Sequence, residues 1–309
     1  MKITIVGPGA LGCLFAGLLA KAGNQVSLLD KDAKRAEKIN QQGIIAEGVS
    51  GNWEVKVRVV IDPAEIGKND LIIIATKSYD TKEAAGRIKN LASQDCRVIT
   101  VQNGVGNIEI ISEAVGQDKV IGGITSQGAT LLGAGHIRHA GKGETVLGRL
   151  DAKIPVELRA IREIFNRSGI QARISRDIKG FLWSKLIVNV GINALTAITG
   201  LPNGKLLEFE GTRRILREAV GEAVRLAKRK RIKLAYDDPL AKVEAVCEST
   251  AANISSMLQD VLRKKKTEID FINGVIVRQA QEAGIPAPVN ACLVDLVKTI
   301  EASYDDAVG

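Results

Sequence analysis

The sequence predicts an α/β protein in two parts: a doubly wound parallel sheet over residues 1–176, then an all-helical domain over residues 177–309. Three observations predict it. Up to about Arg176, short β-branched runs alternate with helical patterns, the alternation that builds a parallel sheet covered by helices. A glycine-rich hexapeptide, Gly7-Pro8-Gly9-Ala10-Leu11-Gly12, stands between the first such run and the first helical pattern. After Asp177 the strand signals stop.

In order along the chain, "KITIVG", "QVSLLD", "DLIIIAT" and "RVITVQNG" read as apolar strands buried on both faces. Helical patterns separate them at about residues 10–23, 33–42, 79–93 and 106–115. "WEVKVRVVID" (Trp53 to Asp62) alternates like one half-exposed strand, and "GHIRHAGKGETVLG" reads as further strands with glycine turns. The remainder reads as helices broken by turn residues at "TGLPNGK", "YDDP" and "AGIPAPVN".

Composition narrows the function. The four cysteines, Cys13, Cys96, Cys247 and Cys292, stand far apart with no CxxC pair, and the histidines are His136 and His139 alone. A metal site or a disulfide framework is therefore not expected, and a reducing compartment is. The net charge of +8 and the runs Lys228 to Lys233 and Arg263 to Lys266 raise nucleic acid as a partner. Two Trp, three Tyr and five Phe in 309 residues offer no stacking platform, so these runs read as solvated helix ends. The start of the chain looks like a signal sequence only superficially, because Gly7-Pro8-Gly9 breaks it, and no apolar run approaches the roughly 20 residues of a membrane span. The expectation is a soluble, cytoplasmic protein with neither nucleic acid nor membrane as partner.

The hexapeptide has the GxGxxG spacing. Its first glycine permits a tight turn, its second lets a pyrophosphate approach the backbone, and its third lets helix and strand pack closely, with phosphate at the helix N-terminus. Asp30 at the end of the next strand completes a Rossmann-type dinucleotide site. Two more loops end apolar strands, Ala75 to Asp80 and Val101 to Gly106, and place Lys77 and Asn103 where a nicotinamide would lie. Position alone leaves open whether these two are ordinary polar loop residues.

The second half carries the chemistry. In "WSKLIVNVGINALTAI", Lys185, Asn189 and Asn193 recur four residues apart, a spacing that drifts about 40° per step and so makes one polar stripe on an apolar helix. A buried ammonium without a partner costs several kcal/mol and an unpaired amide roughly 1–3, so the stripe must face solvent, a satisfied network or a ligand. Asn203 follows in the turn that ends this helix. Downstream, Asn253, Ser256 and Asp260 are spaced to share a helix face, and Thr267 to Asp270 has the form of a capping box with Glu268 on the first turn. A dinucleotide beside a lysine, several amides, a serine and one carboxylate points to hydride transfer to a carbonyl, with Lys185 as electrophile and proton source. No His–Asp pair and no Tyr-x-x-x-Lys pair offers another acid.

These residues resemble the ketopantoate reductase family along nearly the whole chain. The matching pieces are "GPGALG", "TKSYD", "QNGVG", the glycines of "GHIRHAGKGETVLG", "LWSKLIVNVGINALTAITGLPNGKL", and "NISSMLQDV" with "KKTEIDFINGVIVRQA". The resemblance implies reduction of 2-dehydropantoate (ketopantoate) to pantoate for pantothenate and coenzyme A synthesis, and a helical domain similar to that of 6-phosphogluconate dehydrogenase. It implies an active site between the domains, with Lys185 as general acid and Glu268, Asn189 and Asn193 at the substrate hydroxyl. Ser256 would meet the carboxylate, and Asn203 and Asn253 would line the cleft. Gly7, Pro8, Gly9, Ala10, Leu11, Gly12, Asp30, Lys31 and Lys77 would hold the cofactor, with Asn103 and Glu268 counted at both cofactor and substrate. The family's cofactor is NADPH, whereas Asp30 suits the ribose hydroxyl of NADH; Lys31, Lys34 and Arg35 favour a phosphate if Asp30 rotates toward solvent. A reductase of another small 2-oxo acid and a non-catalytic dinucleotide sensor stay open, as do monomer and homodimer.

Overall fold

The computed structural model describes residues 1–306. The chain forms two compact units, residues 1–102 with 106–178, and residues 103–105 with the chain from Lys179 onward. The strands and helices of the first unit are β1 (Lys2–Val6), α1 (Ala10–Lys21), β2 (Gln25–Leu29), α2 (Ala33–Gln42), β3 (Ile44–Gly48), β4 (Trp53–Val55), β5 (Arg58–Val60), β6 (Leu71–Ile74), α3 (Thr81–Ile88), β7 (Arg97–Thr100), α4 (Asn107–Val115), β8 (Val120–Thr125), β9 (Gly128–Gly133), β10 (His136–Gly141), β11 (Thr145–Gly148), α5 (Val156–Arg167) and β12 (Ala172–Ile174).

Eight strands form the main sheet in the order β12-β11-β8-β7-β6-β1-β2-β5. All neighbours are parallel except β8 and β11. The order reverses beside β1, the strand that leads into the glycine hexapeptide, and such a reversal opens the crevice that open α/β sheets use for ligands. Leu71 to Ile74 in β6 are all fully buried, as their unbroken apolar run requires in a sheet covered on both faces. A smaller sheet, β4-β3-β10-β9, packs with Trp53 against α1, where a Cβ at Gly17 would come within 2.3 Å of the indole.

Several expectations need correction. "WEVKVRVVID" is two strands in two sheets: Trp53–Val55 pairs antiparallel with β3, and Arg58–Val60 pairs parallel with β2. Alternation identifies extended backbone but says nothing of the partner. The helix expected to Ser93 stops at Ile88, whose carbonyl accepts from Leu91 and Ala92 as the chain turns. Strands β3, β8, β9 and β12 and helix α5 were not evident from the pattern at all.

Both edges of the main sheet are closed by asparagine. Asn40 of α2 donates to the Val59 carbonyl and accepts from the Val59 amide, each at 2.8 Å. Asn166 of α5 does the same for Ala172 at the opposite edge, at 3.0 and 2.8 Å. A primary amide imitates a peptide group, so each side chain stands in for a missing neighbouring strand.

The second unit is helical: α6 (Ile178–Thr199), α7 (Glu210–Arg229), α8 (Pro239–Ser249), α9 (Ser256–Leu262), α10 (Asn273–Glu282) and α11 (Pro288–Ala302), with α6 itself starting at the junction. Breaks fall at the three turn segments expected. Helix α6 corrects one reading: over 22 residues it is long and apolar enough to cross a membrane, with a mean hydropathy of 1.4 across an 18-residue window. Its apolar residues instead form the core of this unit, with Leu186, Val190, Ala194 and Leu195 nearly fully buried against residues such as Leu216, Val220 and Ile276. The basic run at the end of α7 is exposed from Lys228 to Arg231, and Ile232 turns inward to anchor it.

The asparagine closures can be tested by urea titration. Asn40→Ala and Asn166→Ala each leave one backbone N–H and one C=O unpaired at a partly buried edge, and each is expected to lower stability by roughly 1–3 kcal/mol. No measurable change would mean that water replaces the amide there.

Candidate active site

The glycine hexapeptide has the geometry of a phosphate cradle. Gly7 ends β1 with φ of +93°, and a Cβ there would lie 2.7 Å from Thr76. Gly12 packs so closely under the turn that a Cβ would come 2.1 Å from the Gly7 carbonyl oxygen. Gly9, the N-cap of α1, is the opposite case: a Cβ would meet nothing within 4 Å, and no side chain caps the helix. The first and third glycines thus serve the fold, and the second leaves space for a ligand above the helix N-terminus. A diphosphate fits such a cradle.

Asp30 departs from expectation. Rather than rotating toward solvent, its side chain is 1% exposed. Oδ1 accepts from the amides of Lys31 at 2.7 Å and Asp32 at 3.2 Å, and Arg35 grips both oxygens, through Nε at 2.6 Å and through a second, short contact. A buried carboxylate needs such a set of donors, and Arg35 is close enough to supply them. Arg87 adds a hydrogen bond to the Asp30 carbonyl at 2.9 Å. Lys31 turns to Asp80 at 3.0 Å and Glu83 at 3.3 Å, contacts that raise its pKa, the Asp80 hydrogen bond foremost.

Lys77 sits at the head of a 3-10 turn, Ser78–Asp80, whose position depends on a residue the sequence pattern did not single out. Gln102, 7% exposed, donates from Nε2 to Thr81 Oγ1 at 2.8 Å, to the Thr76 carbonyl and hydroxyl at 3.1 Å, and more weakly to the Lys77 carbonyl at 3.4 Å. Thr100 Oγ1 donates to its Oε1 at 2.9 Å. The available signal was a polar residue directly before Asn103-Gly104 at the end of an apolar strand.

In the second unit the stripe on α6 is not a solvent face. Lys185 and Asn189 are half-buried and Asn193 is 5% exposed. Burial pushes the Lys185 ammonium down to about 8, against the opposing attraction of Glu268. Glu268 is itself buried at 4% exposure and accepts from Asn103 Nδ2 at 3.2 Å. Gly104 makes that contact accessible: at φ of +82°, a Cβ on it would stand 2.4 Å from the Phe271 carbonyl oxygen. Lys185, Glu268 and Asn103, from three distant parts of the sequence, thus form one group.

Asn203, in the 3-10 turn Asn203–Leu207, belongs to a second group. It donates to Thr250 Oγ1 at 2.9 Å, and its amide bonds the Asn253 carbonyl at 2.9 Å. Among the described residues its buried Oδ1 has no hydrogen-bond partner. The shared helix face of Asn253, Ser256 and Asp260 does not form, because α9 starts only at Ser256. Asn253 precedes it in the connecting turn, Ser256 is exposed, and Asp260 is buried. Ser255 takes the cap, accepting from the Leu258 amide at 3.0 Å, and its Oγ lies 2.7 Å from Thr196 Oγ1 of α6. The capping box also fails: Thr267 Oγ1 accepts from Ile269, Glu268 precedes a 3-10 turn rather than opening an α-helix, and Asp270 pairs with Lys298 at 2.8 Å. Tertiary partners claimed groups that local capping would otherwise use. Among the described residues no cluster of metal-ligating side chains occurs, and all four cysteines are unpaired.

The family described as ketopantoate reductase PanE/ApbA matches residues 3–152, and its C-terminal counterpart matches residues 177–301. The chain belongs to the ketopantoate reductase family. A 2-dehydropantoate 2-reductase of Pyrococcus horikoshii is 38% identical over 302 residues, covering 98% of each chain. One from Halobacterium salinarum is 33% identical over 299 residues, 96% of this chain and 98% of that one. The crystal structure of a PanE/ApbA family ketopantoate reductase from Ralstonia eutropha matches with a TM-score of 0.92 at 34% identity, over 99% of this chain and 100% of that one. D-mandelate dehydrogenase with NADH and anilino(oxo)acetate matches with a TM-score of 0.91 at 29% identity, over 99% and 100%. As a ketopantoate reductase family member the chain is an NAD(P)-dependent oxidoreductase, and its sheet-plus-helices architecture is that of the family.

The depressed Lys185 pKa has a direct test. Its ammonium is protonated below about pH 8 and loses the proton as pH rises through that value, well before an ordinary lysine at 10.5. An NMR titration of labelled lysine side chains, assigned by loss of the signal in Lys185→Met, is expected to show that midpoint. Glu268→Gln removes the attraction that holds the value up, so the midpoint should move lower. A wild-type midpoint near 10.5 would show the ammonium to be fully hydrated.

Proposed function

We propose that the protein is an NADPH-dependent 2-dehydropantoate 2-reductase, forming pantoate for pantothenate and coenzyme A synthesis in the cytoplasm, as a monomer or homodimer. The observation that carries this reading is the place of Lys185, on the apolar helix α6, with its ammonium attracted by a buried carboxylate that Asn103 holds. In this reading residues 1–176 bind the dinucleotide and residues 177–309 bind the substrate.

The reduced nicotinamide supplies a hydride when bound. The residues of this chain do the rest. Lys185 donates to the ketone oxygen, stabilises the negative charge that reduction places there, and gives up its proton to complete the alcohol. A pKa of about 8 leaves it mostly protonated at neutral pH while making it a stronger acid than a solvated lysine, the compromise that general acid catalysis favours. Glu268 with Asn189 and Asn193 holds the substrate hydroxyl, and Ser256 meets the carboxylate through its hydroxyl. Asn203 and Asn253 line the substrate site. The cradle of Gly7, Pro8, Gly9, Ala10, Leu11 and Gly12 takes the pyrophosphate, and Asp30, Lys31, Lys77, Asn103 and Glu268 orient the rest of the cofactor.

A second reading, reduction of another 2-oxo acid, draws support from the likeness to D-mandelate dehydrogenase. A panel of 2-oxo acids, with consumption of reduced cofactor followed by absorbance, separates the two. Ketopantoate is expected to give the highest kcat/KM, and no turnover of any of them would leave a dinucleotide sensor. Lys185→Ala should lower turnover by roughly 10²–10⁴-fold with cofactor affinity little changed. Near-normal turnover would remove Lys185 from the mechanism.

Cofactor choice follows from the Asp30–Arg35 pair. With its charge already met by Arg35, Asp30 repels a 2′-phosphate less than a bare carboxylate would, yet it also occupies the arginine that a phosphate would use. NADPH is expected to be preferred by a modest margin, with NADH usable. Asp30→Ala releases Arg35 and should raise the preference for NADPH, whereas replacing Lys31 and Arg35 by alanine should move it toward NADH. Unchanged ratios of kcat/KM for the two cofactors in both variants would show that neither charge reads the ribose.

A further inference from the structure

Glu268 lies in an irregular stretch, between the turn that ends α9 and the 3-10 turn Ile269–Phe271, with φ of −95° and ψ of 24°. No helix or sheet ladder fixes its backbone, yet it is 4% exposed and must keep its carboxylate aimed at its partners. What holds this stretch is the last part of the chain. Lys298, Glu301 and Tyr304, three residues apart at the end of α11 and just beyond, meet it at three successive points, running antiparallel to it. Lys298 Nζ pairs with Asp270 Oδ1 at 2.8 Å, Glu301 Oε1 accepts from the Thr267 amide at 2.7 Å, and Tyr304 donates to the Lys265 carbonyl at 2.8 Å.

The three contacts are unequal. Both partners of the Lys298–Asp270 pair are more than a third exposed, and such surface pairs contribute little. The Glu301 contact is of another kind: a carboxylate accepts from the backbone amide of a residue only 2% exposed, the residue directly before Glu268. Charge-assisted bonds to buried amides are among the stronger ones, and losing the acceptor leaves that amide unpaired. Thr267 then passes the constraint forward, its Oγ1 accepting from the Ile269 amide at 3.2 Å on the far side of Glu268.

We propose that Glu301, supported by Tyr304, is a positioning residue for Glu268, so that the C-terminal helix sets how sharply the enzyme reads the substrate hydroxyl. This rests on the reading of Glu268 as the group that meets that hydroxyl. Removing Glu301 lets the 265–268 stretch shift, and Glu268 loses its alignment with no change in the chemical groups at the site.

The test is a double-mutant cycle with steady-state kinetics for ketopantoate and for an analogue lacking the hydroxyl, at saturating NADPH. Glu301→Ala should lower kcat/KM for ketopantoate about tenfold, mainly through KM, with the analogue much less affected, the steep discrimination expected when a hydroxyl partner is misplaced. Glu301→Gln keeps a side-chain oxygen as acceptor and should restore most of the loss. Adding Glu301→Ala to Glu268→Ala should cost nothing further, because the first acts through the second. If Glu301→Ala does not fold, Tyr304→Phe takes its place in the cycle. Losses that multiply in the double variant, or equal losses for both substrates, would overturn the proposal while leaving Glu268 in its role. Wild-type kinetics in Glu268→Ala alone would refute the role of Glu268 itself, and the positioning of it would fall too.

Discussion

Removing an ammonium from water on an apolar helix is the constraint around which the second unit is organised. Helix α6 buries aliphatic side chains on most of its surface, and the charge of Lys185 can persist there only with compensation. Glu268 supplies part of it and is not enough to restore an ordinary pKa. In the proposed reaction, that residual imbalance is what would suit the lysine to proton transfer. A fully solvated amine would hold its proton too firmly, and a fully paired one would have no reason to release it.

Compensation of this kind requires that Glu268 be buried, and a buried carboxylate imposes its own demands. Asn103 meets one of them from a strand-end loop about 165 positions away in sequence. That loop reaches it because Gly104 has no side chain to collide with Phe271. Glutamine 102, one residue earlier, ties the same loop to the Thr76–Lys77 turn. Gln102 is thereby held by the backbone carbonyls of Thr76 and Lys77, and backbone is the part of a protein least able to rearrange.

The first unit handles its buried charge differently. Asp30 is enclosed by two amides and by Arg35, which together meet both of its oxygens. It shapes the loop after β2 by accepting from the amides of Lys31 and Asp32. At the sheet edges the same principle appears with neutral groups, as Asn40 and Asn166 complete Val59 and Ala172.

The sequence by itself determined the class of the fold, the glycine cradle and the polar stripe of α6, because each depends on short-range periodicity or spacing. Three glycines at fixed offsets between a strand and a helix, or three polar residues four apart, have their geometry set by the backbone that carries them. Only the tertiary structure decided the partners. Trp53–Val55 and Arg58–Val60 look like one strand until β3 and β2 divide them. Asp30 looks free to turn outward until Arg35 encloses it, and Thr267 looks like a helix cap until Glu301 takes its amide. The difference is physical: local pattern fixes the direction in which a side chain leaves the backbone, but the cost of burying a charge or an amide is settled by which distant group arrives to meet it.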